Sequence, residues 1–243
     1  MRPSACRLAP FLLAFTASAS AADTWGDVAA GVLVTTGNTQ TRTLNGKATM
    51  ETKAGAWHNA ALAQGSNVAD HHATTAEHYL ATDKLDYTFL ERWYAFADAE
   101  WEKDLFGGIR DRTSETLGLG RHFLTGPVHV LDAEVGAGAR QTRDQDSATA
   151  RGQWHSDAIA RAAGHYRWAI SETSDFTQDL KMESGRSNTF TESVTALKLA
   201  IVGNLFAVAS YTVRHNSQVP AGADKTDTLT ALNLNYSFGQ KPE

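Results

Sequence analysis

The sequence is poor in cysteine, in proline, in positive charge and in long apolar runs. It has one cysteine, Cys6, and five prolines in 243 residues. A lone cysteine cannot form a disulfide within the chain, which excludes the small secreted domains that disulfides hold together. Lys and Arg number 22 against 27 Asp and Glu. Because phosphate binding needs a basic surface, nucleic acid is not an expected partner.

The one clearly apolar run lies at the start of the chain, and it is far shorter than the ~20 residues of a spanning helix. Arg2 and Arg7 precede it and give a positively charged start, and Ala19-Ser20-Ala21 follows it as a small-residue cleavage motif. This order is typical of a secretory signal peptide. We therefore predict a signal peptide at residues 1–21.

Residues 22–243 are then predicted to form one exported all-β domain. Removal of Arg2 and Arg7 leaves 20 basic against 27 acidic residues, a net charge of −7. Removal of Cys6 leaves no thiol chemistry. An exported chain without cysteine fits a bacterial envelope protein better than a disulfide-rich secreted domain.

What the sequence has in abundance is alternation with a period of two, clearest over residues 93–124. One face of its first half is apolar and carries Trp93, Ala95, Ala97, Ala99 and Trp101. The other face is acidic and carries Asp98, Glu100 and Glu102. A period of two predicts long β-strands. An apolar outer face and a polar inner face are typical of a transmembrane β-barrel.

Similar segments recur along the chain, separated by turn residues, and about twelve can be counted. This predicts a transmembrane up-and-down antiparallel β-barrel of about 12 strands in the bacterial outer membrane, in contact with its lipids. The longest connections are predicted around His71, Gln145 and Pro220, on the outer side. One of the short periplasmic turns is predicted at Trp168-Ala169, between segments 153–166 and 170–183.

Aromatic residues cluster near the predicted periplasmic strand ends and predict a girdle at that membrane surface. They are Trp25, Trp57, Phe89, Trp93, Phe123, Trp168, Phe206 and Phe238. The last strand, TDTLTALNLNYSF, ends on Phe238. Such an ending is typical of the signal that barrel-assembly machinery reads, so that machinery is an expected partner.

Alternation also predicts which charges point into the lumen. The predicted inward set comprises Asp98, Glu100, Glu102, Asp132, Glu134, Arg140, Arg161, Asp175, Asp179, Lys181, Lys198 and Arg214. Two interpretations remain open: a charged pore for small ions or solutes, and a structural network in a closed lumen. Pairing is expected in both, because an unpaired buried charge costs several kcal/mol.

A lipid hydrolase is the enzymatic alternative. His215 and Ser217 have the i, i+2 spacing that places a base beside a hydroxyl on one strand face, with Asp224 as the orienting group. A His-x-Ser sequence is common by chance, so no catalytic residues are expected and the non-enzymatic interpretation is favoured.

A metal site is also conceivable, since His71, His72 and His78 accompany Asp70 and Glu77. The spacing matches no standard ligand pattern, and a solvated polar loop is the favoured explanation of these residues. No metal and no cofactor are therefore expected.

Several stretches resemble one family: TTGNTQT, WEKDLFGGIRDRTSETLGLGRHFL, VHVLDAEVGAGAR and the final NYSF. They are similar to the DUF481 family, whose members include YdiY-like, salt-induced outer-membrane proteins. The resemblance covers nearly all of residues 22–243. It implies an outer-membrane barrel connected with osmotic or salt stress and brings no catalytic residues.

The sequence thus predicts a non-enzymatic outer-membrane barrel, either a narrow passive channel or an envelope- or salt-stress barrel. Two alternatives stay open, the lipid hydrolase and an exported soluble β-sandwich that binds a ligand. The sandwich would have an apolar interior, whereas the barrel would have a polar one.

Overall fold

The computed structural model describes residues 22–36, 41–70, 73–105, 107–145, 152–219 and 224–240. The predicted signal peptide lies outside these ranges. The described residues form twelve strands: β1 (Asp23–Thr36), β2 (Thr41–Ala54), β3 (Trp57–Asp70), β4 (Ala73–Leu90), β5 (Trp93–Asp104), β6 (Ile109–Thr125), β7 (His129–Asp144), β8 (Trp154–Ser171), β9 (Ser174–Gly185), β10 (Thr189–Val202), β11 (Leu205–Asn216) and β12 (Thr226–Gly239). Within these ranges, no helix is long and apolar enough to cross a membrane.

The strands follow one another around a closed barrel, and each pairs antiparallel with its chain neighbours. β12 returns to β1, where Val28 lies opposite Tyr236 and Ala30 opposite Leu234. Closure removes the unpaired edges that an open sheet would expose, which lipid does not tolerate. The predicted barrel of about twelve strands is confirmed, and the β-sandwich alternative is wrong because the sheet is closed.

The strands are 12 to 18 residues long, against about 5–6 in most globular sheets. β3 continues to Asp70 and β4 begins at Ala73, so residues 71–72 alone separate them. The long loop predicted around His71 is therefore wrong. Asp70 pairs with Ala73 and Ala69 with Thr74, so the ladder extends beyond the apolar band. The sequence did not predict this part of the strands because it lacks apolar alternation.

The turn between β8 and β9 also differs from its prediction at Trp168-Ala169. β8 continues to Ser171, and residues 172–173 make the turn. Ser171 stabilises it, because its hydroxyl accepts a hydrogen bond from the backbone N–H of Thr173 at 3.2 Å and lies 2.7 Å from the hydroxyl of Ser174. Hydroxyl side chains commonly bond the backbone in this way in turns.

The outer surface of the barrel is apolar. Large side chains there are among the most exposed of the molecule, including Leu117 at 68%, Val135 at 65% and Leu232 at 62%. The interior contains buried Glu and Arg instead. A soluble protein would have the opposite arrangement, whereas lipid around the barrel would cover the apolar side chains.

Two carboxylates interrupt the apolar outer surface. Asp83 and Glu115 lie on either side of Ala99 in one lateral row of paired residues. Asn59 donates a hydrogen bond to Asp83 at 2.6 Å. Ionisable residues on a lipid-facing surface are costly, so this pair marks an unusual region of the wall.

The predicted aromatic girdle is partly correct. Trp57, Phe89, Trp93, Phe123 and Trp168 lie near strand ends and are 38–45% exposed. The prediction that Trp25 belongs to the girdle is wrong, because Trp25 is 8% exposed and stacks on His58 with ring centroids 5.9 Å apart. Phe206 is also wrong, because Lys198 Nζ lies 4.1 Å from the centre of its ring on the inner side. Both rings shield charged groups that line the lumen.

Candidate functional site in the barrel lumen

The lumen is crossed by charged side chains near the end of the barrel that carries the longer connections. Glu102 on β5 is 2% exposed and accepts a hydrogen bond from Arg112 on β6. Arg214 on β11 reaches the same carboxylate, with Nη1 3.4 Å from Oε1. β5 and β11 are six strands apart in the closed order. Their contact therefore joins opposite walls of the barrel.

Arg214 connects four partners. Its Nε donates to Glu192 at 2.7 Å on the neighbouring strand β10. Its Nη1 lies 3.0 Å from His78 Nε2 and 3.5 Å from Asp104 Oδ2 on the far wall. The side chain is 8% exposed, so these contacts replace water. Charge-assisted hydrogen bonds are the strong ones inside a protein.

A second set of contacts lies beside Arg214 in the lumen. Lys181 on β9 donates to Glu100 on β5 at 2.6 Å. Arg140 on β7 lies 3.6 Å from Glu183 on β9 and 3.9 Å from Asp157. We call these side chains together the constriction layer: His78, Glu100, Glu102, Asp104, Arg112, Arg140, Asp157, Lys181, Glu183, Glu192 and Arg214.

The constriction layer has more acids than bases. Within the described ranges it holds six carboxylates against four Arg and Lys side chains, a net charge of −2 with neutral histidine. Phe190 packs under Arg112, with the guanidinium 4.4 Å from the ring centre. The surplus of buried negative charge favours cations over anions in this layer.

Glycines in the wall make room for two inward aromatic rings. Tyr94 and Phe96 are each 3% exposed. A Cβ on Gly120 would lie 2.1 Å from the Tyr94 ring, and one on Gly118 2.6 Å from the Phe96 ring. These distances are too short for any larger residue. Gly118 and Gly120 of the LGLG sequence therefore serve packing inside the barrel.

Around these rings lies a further charged group on one side of the lumen. Lys84 is 2.5 Å from Glu134, which also accepts a hydrogen bond from the Tyr94 hydroxyl at 2.8 Å. Arg161 lies 3.5 Å from Glu134 and 3.9 Å from Asp98. The side chains of this group come from β4–β8. The opposite wall carries smaller polar side chains such as Asn233 and Asn235, which alternate along β12 with leucines that point outward.

The other end of the lumen, which we call the vestibule, is lined by ion pairs that mostly join neighbouring strands. Lys198 on β10 and Asp27 on β1 are the exception, because these strands are three apart in the closed order. Its members are Asp27, Glu51, His58, Asp86, His122, Asp132, His165, Arg167, Asp175, Asp179 and Lys198. His165 Nδ1 lies 2.6 Å from Asp179 Oδ1, and the two side chains are 43% and 49% exposed. These pairs leave the centre of the lumen accessible to water.

The structure places all ten principal sequence-predicted lumen charges on the inner side, each with a partner. Glu100, Glu102, Arg140, Lys181 and Arg214 belong to the constriction layer. Asp98, Glu134 and Arg161 belong to the group around Tyr94. Asp179 and Lys198 belong to the vestibule, as do Asp132 and Asp175.

Sequence reasoning missed five constriction charges: Asp104, Arg112, Asp157, Glu183 and Glu192. Alternation could have found Asp104, which follows Glu102 by two residues, and Glu183, which follows Lys181 by two. The contact of Glu183 with Arg140 could not be read from alternation, because that signal carries no information on the partner across the lumen.

The residues of the hydrolase alternative make other contacts. His215 Nδ1 lies 2.9 Å from the Thr226 hydroxyl. Ser217 donates to Asn188 Oδ1 at 3.2 Å and accepts from the Thr189 backbone N–H at 2.8 Å. Asp224 lies two residues before β12. These contacts hold Ser217 against the β9–β10 turn and give the hydrolase alternative no support.

The candidate metal ligands of the sequence analysis do not all lie together among the described residues. His71 and His72 lie outside the described residues, and the side chain of Asp70 is not described. Glu77 pairs with Lys103. His78 points into the lumen, where its ligand atom and those of Glu102 and Asp104 lie within 4.8 Å of one another.

Residues 28–238 match the family described as "Protein of unknown function, DUF481". The chain belongs to this family. It is also similar to a relative from Escherichia coli strain K12 described as "Uncharacterized protein YdiY", with 32% identity over 219 residues. That similarity covers 88% of this chain and 82% of the relative.

Two solved structures share the fold of this family member. The NanC porin has a TM-score of 0.58 at 11% identity, over 87% of this chain and 98% of that one. The translocator domain of the autotransporter NalP from Neisseria meningitidis has a TM-score of 0.50 at 10% identity, over 88% of each chain. At these identities the likeness concerns the barrel alone.

Proposed function

We propose that this protein is a narrow passive channel for small cations in a bacterial outer membrane. The observation that carries the proposal is the composition of the barrel interior. Charged side chains line it from the vestibule to the constriction layer, and the described strands all belong to the wall. Among the described residues, the groups that close the lumen are therefore side chains, which can move by rotamer changes alone.

The net charge of the constriction layer supports the choice of cations. A water-filled path along surplus carboxylates lowers the energy of a cation and raises that of an anion. The width supports small ions only, since Arg214 and Glu102 meet from opposite walls. Larger solutes would require this contact to separate.

Location in the outer membrane is supported by the apolar outer surface and by the barrel fold. It also requires export, for which residues 1–21 are the expected signal, and assembly, for which β12 ending near Phe238 is the expected recognition element. Mass spectrometry of the membrane-extracted protein should find an N-terminus near Ala22. Recovery of the mature chain as a soluble periplasmic monomer would overturn the proposal.

The direct test of function is conductance of the refolded barrel in a planar bilayer. Wild type should give small, cation-selective steps. Arg214→Ala should enlarge the steps because it removes the contact between β11 and β5. Arg167→Ala is the matched control, since Arg167 pairs at 2.5 Å with Asp175 in the half-exposed vestibule, and it should leave the step size nearly unchanged.

Selectivity is tested by Glu100→Gln, which removes one carboxylate of the constriction layer. Cation preference should fall while the barrel stays folded. A second function, a closed barrel that strengthens the envelope, is favoured by the dry contacts across the lumen. It would be established in place of the channel if wild type and Arg214→Ala were both folded and both silent.

A further inference from the structure

Three ligand atoms of the constriction layer converge on one point. They are Nε2 of His78 on β4 and carboxylate oxygens of Glu102 and Asp104 on β5, and all lie within 4.8 Å of one another. His78 and Glu102 are 4% and 2% exposed. One imidazole and two carboxylates are a ligand set that suits divalent transition metals such as Zn²⁺.

The positively charged guanidinium of Arg214 already lies at this point. Arg214 Nη1 lies 3.0 Å from His78 Nε2, 3.4 Å from Glu102 and 3.5 Å from Asp104. A guanidinium offers only donors and a carboxylate only acceptors, whereas Nε2 of a neutral histidine can donate or accept. The lone pair of Nε2 is what a metal ion would bind.

Positive charge at this point is incomplete even with Arg214 in place. Nε2 of His78 lies 3.0 Å from both Oε1 of Glu102 and Nη1 of Arg214. Because one Nε2 atom cannot donate to the carboxylate and accept from the guanidinium at the same time, one of these two contacts is left without a hydrogen bond. The constriction layer as a whole keeps its net charge of −2. Both observations indicate that a divalent ion would be stabilised here more than the single charge of Arg214 is.

We propose that His78, Glu102 and Asp104 form a binding site for a divalent transition metal of the Zn²⁺ type, which Arg214 occupies in the metal-free barrel. Zinc bonds of about 2.0–2.2 Å require the three ligand atoms to approach one another by rotamer changes. Arg214 would withdraw to Glu192, which it already contacts through Nε at 2.7 Å.

Binding of the metal is tested on the folded barrel in detergent, without an affinity tag, by titration with Co²⁺ and competition with Zn²⁺. One Co²⁺ per barrel should give visible absorption bands that Zn²⁺ removes. His78→Gln should weaken binding about tenfold or more. His165→Gln is the matched control, since His165 also pairs with a carboxylate, Asp179, at 2.6 Å, and it should leave binding unchanged.

Arg214→Met should increase the affinity for Co²⁺, a change that misfolding would not produce. Loss of the competing guanidinium should tighten Co²⁺ binding about tenfold or more, on the scale of one lost charge contact. Asp104→Asn should weaken binding in a barrel that still migrates as folded before heating. Equal binding in wild type, His78→Gln and Arg214→Met would overturn the proposal.

The site also predicts an effect on the channel, and this step rests on the proposed function. All three ligands lie on β4 and β5, whereas Arg214 comes from β11. Metal binding would therefore release one contact between opposite walls, and Zn²⁺ should enlarge the conductance steps of wild type but not those of His78→Gln. Co²⁺ bands without any conductance would support the metal site and reject the channel.

Discussion

The two ends of the lumen use the same residue types in different ways. In the constriction layer, Glu102 and Arg112 are 2% and 4% exposed, and Glu102 also contacts Arg214 of the opposite wall. In the vestibule, the side chains of Arg167 and Asp175 are 38% and 29% exposed, and most pairs join adjacent strands. Each end contains Asp, Glu, His, Arg and Lys.

The difference between the ends is burial, and burial decides what a charge contributes. Breaking a buried ion pair by removing one partner leaves an uncompensated charge without water, which costs about 3–5 kcal/mol. An exposed pair contributes about 0–1 kcal/mol because water screens it. The constriction layer is therefore expected to hold the barrel together, while the vestibule provides a polar, wet surface.

The largest expected effect comes from Glu102→Ala. It leaves Arg112 and Arg214 without their shared carboxylate, and the free energy of unfolding should fall by about 3–5 kcal/mol. Urea unfolding in lipid vesicles, followed by tryptophan fluorescence, measures it. Asp179→Ala in the vestibule is the control and should cost at most about 1 kcal/mol. Equal losses would remove the distinction between the two ends.

A double-mutant cycle on Lys181 and Glu100 sharpens the comparison. Their contact crosses the lumen at 2.6 Å, and the coupling free energy should be about 2 kcal/mol. The same cycle on Arg167 and Asp175, which are 2.5 Å apart in the vestibule, should give less than about 1 kcal/mol. A larger coupling in the vestibule would show that distance matters more than burial.

Asp83 offers a charge in a third setting, the outer surface. Asp83→Leu should raise the free energy of unfolding by about 1–2 kcal/mol, since it removes a carboxylate from a lipid-facing position. Ala99→Leu, at the neighbouring outward position, adds the same side chain without removing a charge. A loss of stability in Asp83→Leu would mean that Asp83 does not face lipid.

The smallest effect is expected in the vestibule. His165→Gln should change the free energy of unfolding by less than about 1 kcal/mol. The change should shrink further at high salt, because screening acts on exposed pairs. Unfolding curves of wild type and variant at low and high salt test this, and a large, salt-independent loss would assign His165 to a dry environment.

Alternation predicted the wall of the barrel well because a strand has only two faces. The alternating Trp93–Trp101 stretch correctly assigned Glu100 and Glu102 to one side. Trp25 and Phe206 were misassigned because an aromatic residue near a strand end suits a girdle and also covers His58 or Lys198. The contacts within the constriction layer could not be predicted from alternation, since whether Arg214 meets Glu102 depends on tilt and closure of the whole sheet.

The contacts across the lumen join residues far apart in the chain. Arg214 and Glu102 are separated by 112 positions, and Lys198 and Asp27 by 171. Contacts of such long range form late in folding, because the intervening chain must be ordered first. We therefore expect these charges to stay hydrated until the sheet closes, so that their burial accompanies the completion of assembly. A barrel caught before that step would be an open, leaky pore, and sealing of the lumen would be the last event of folding.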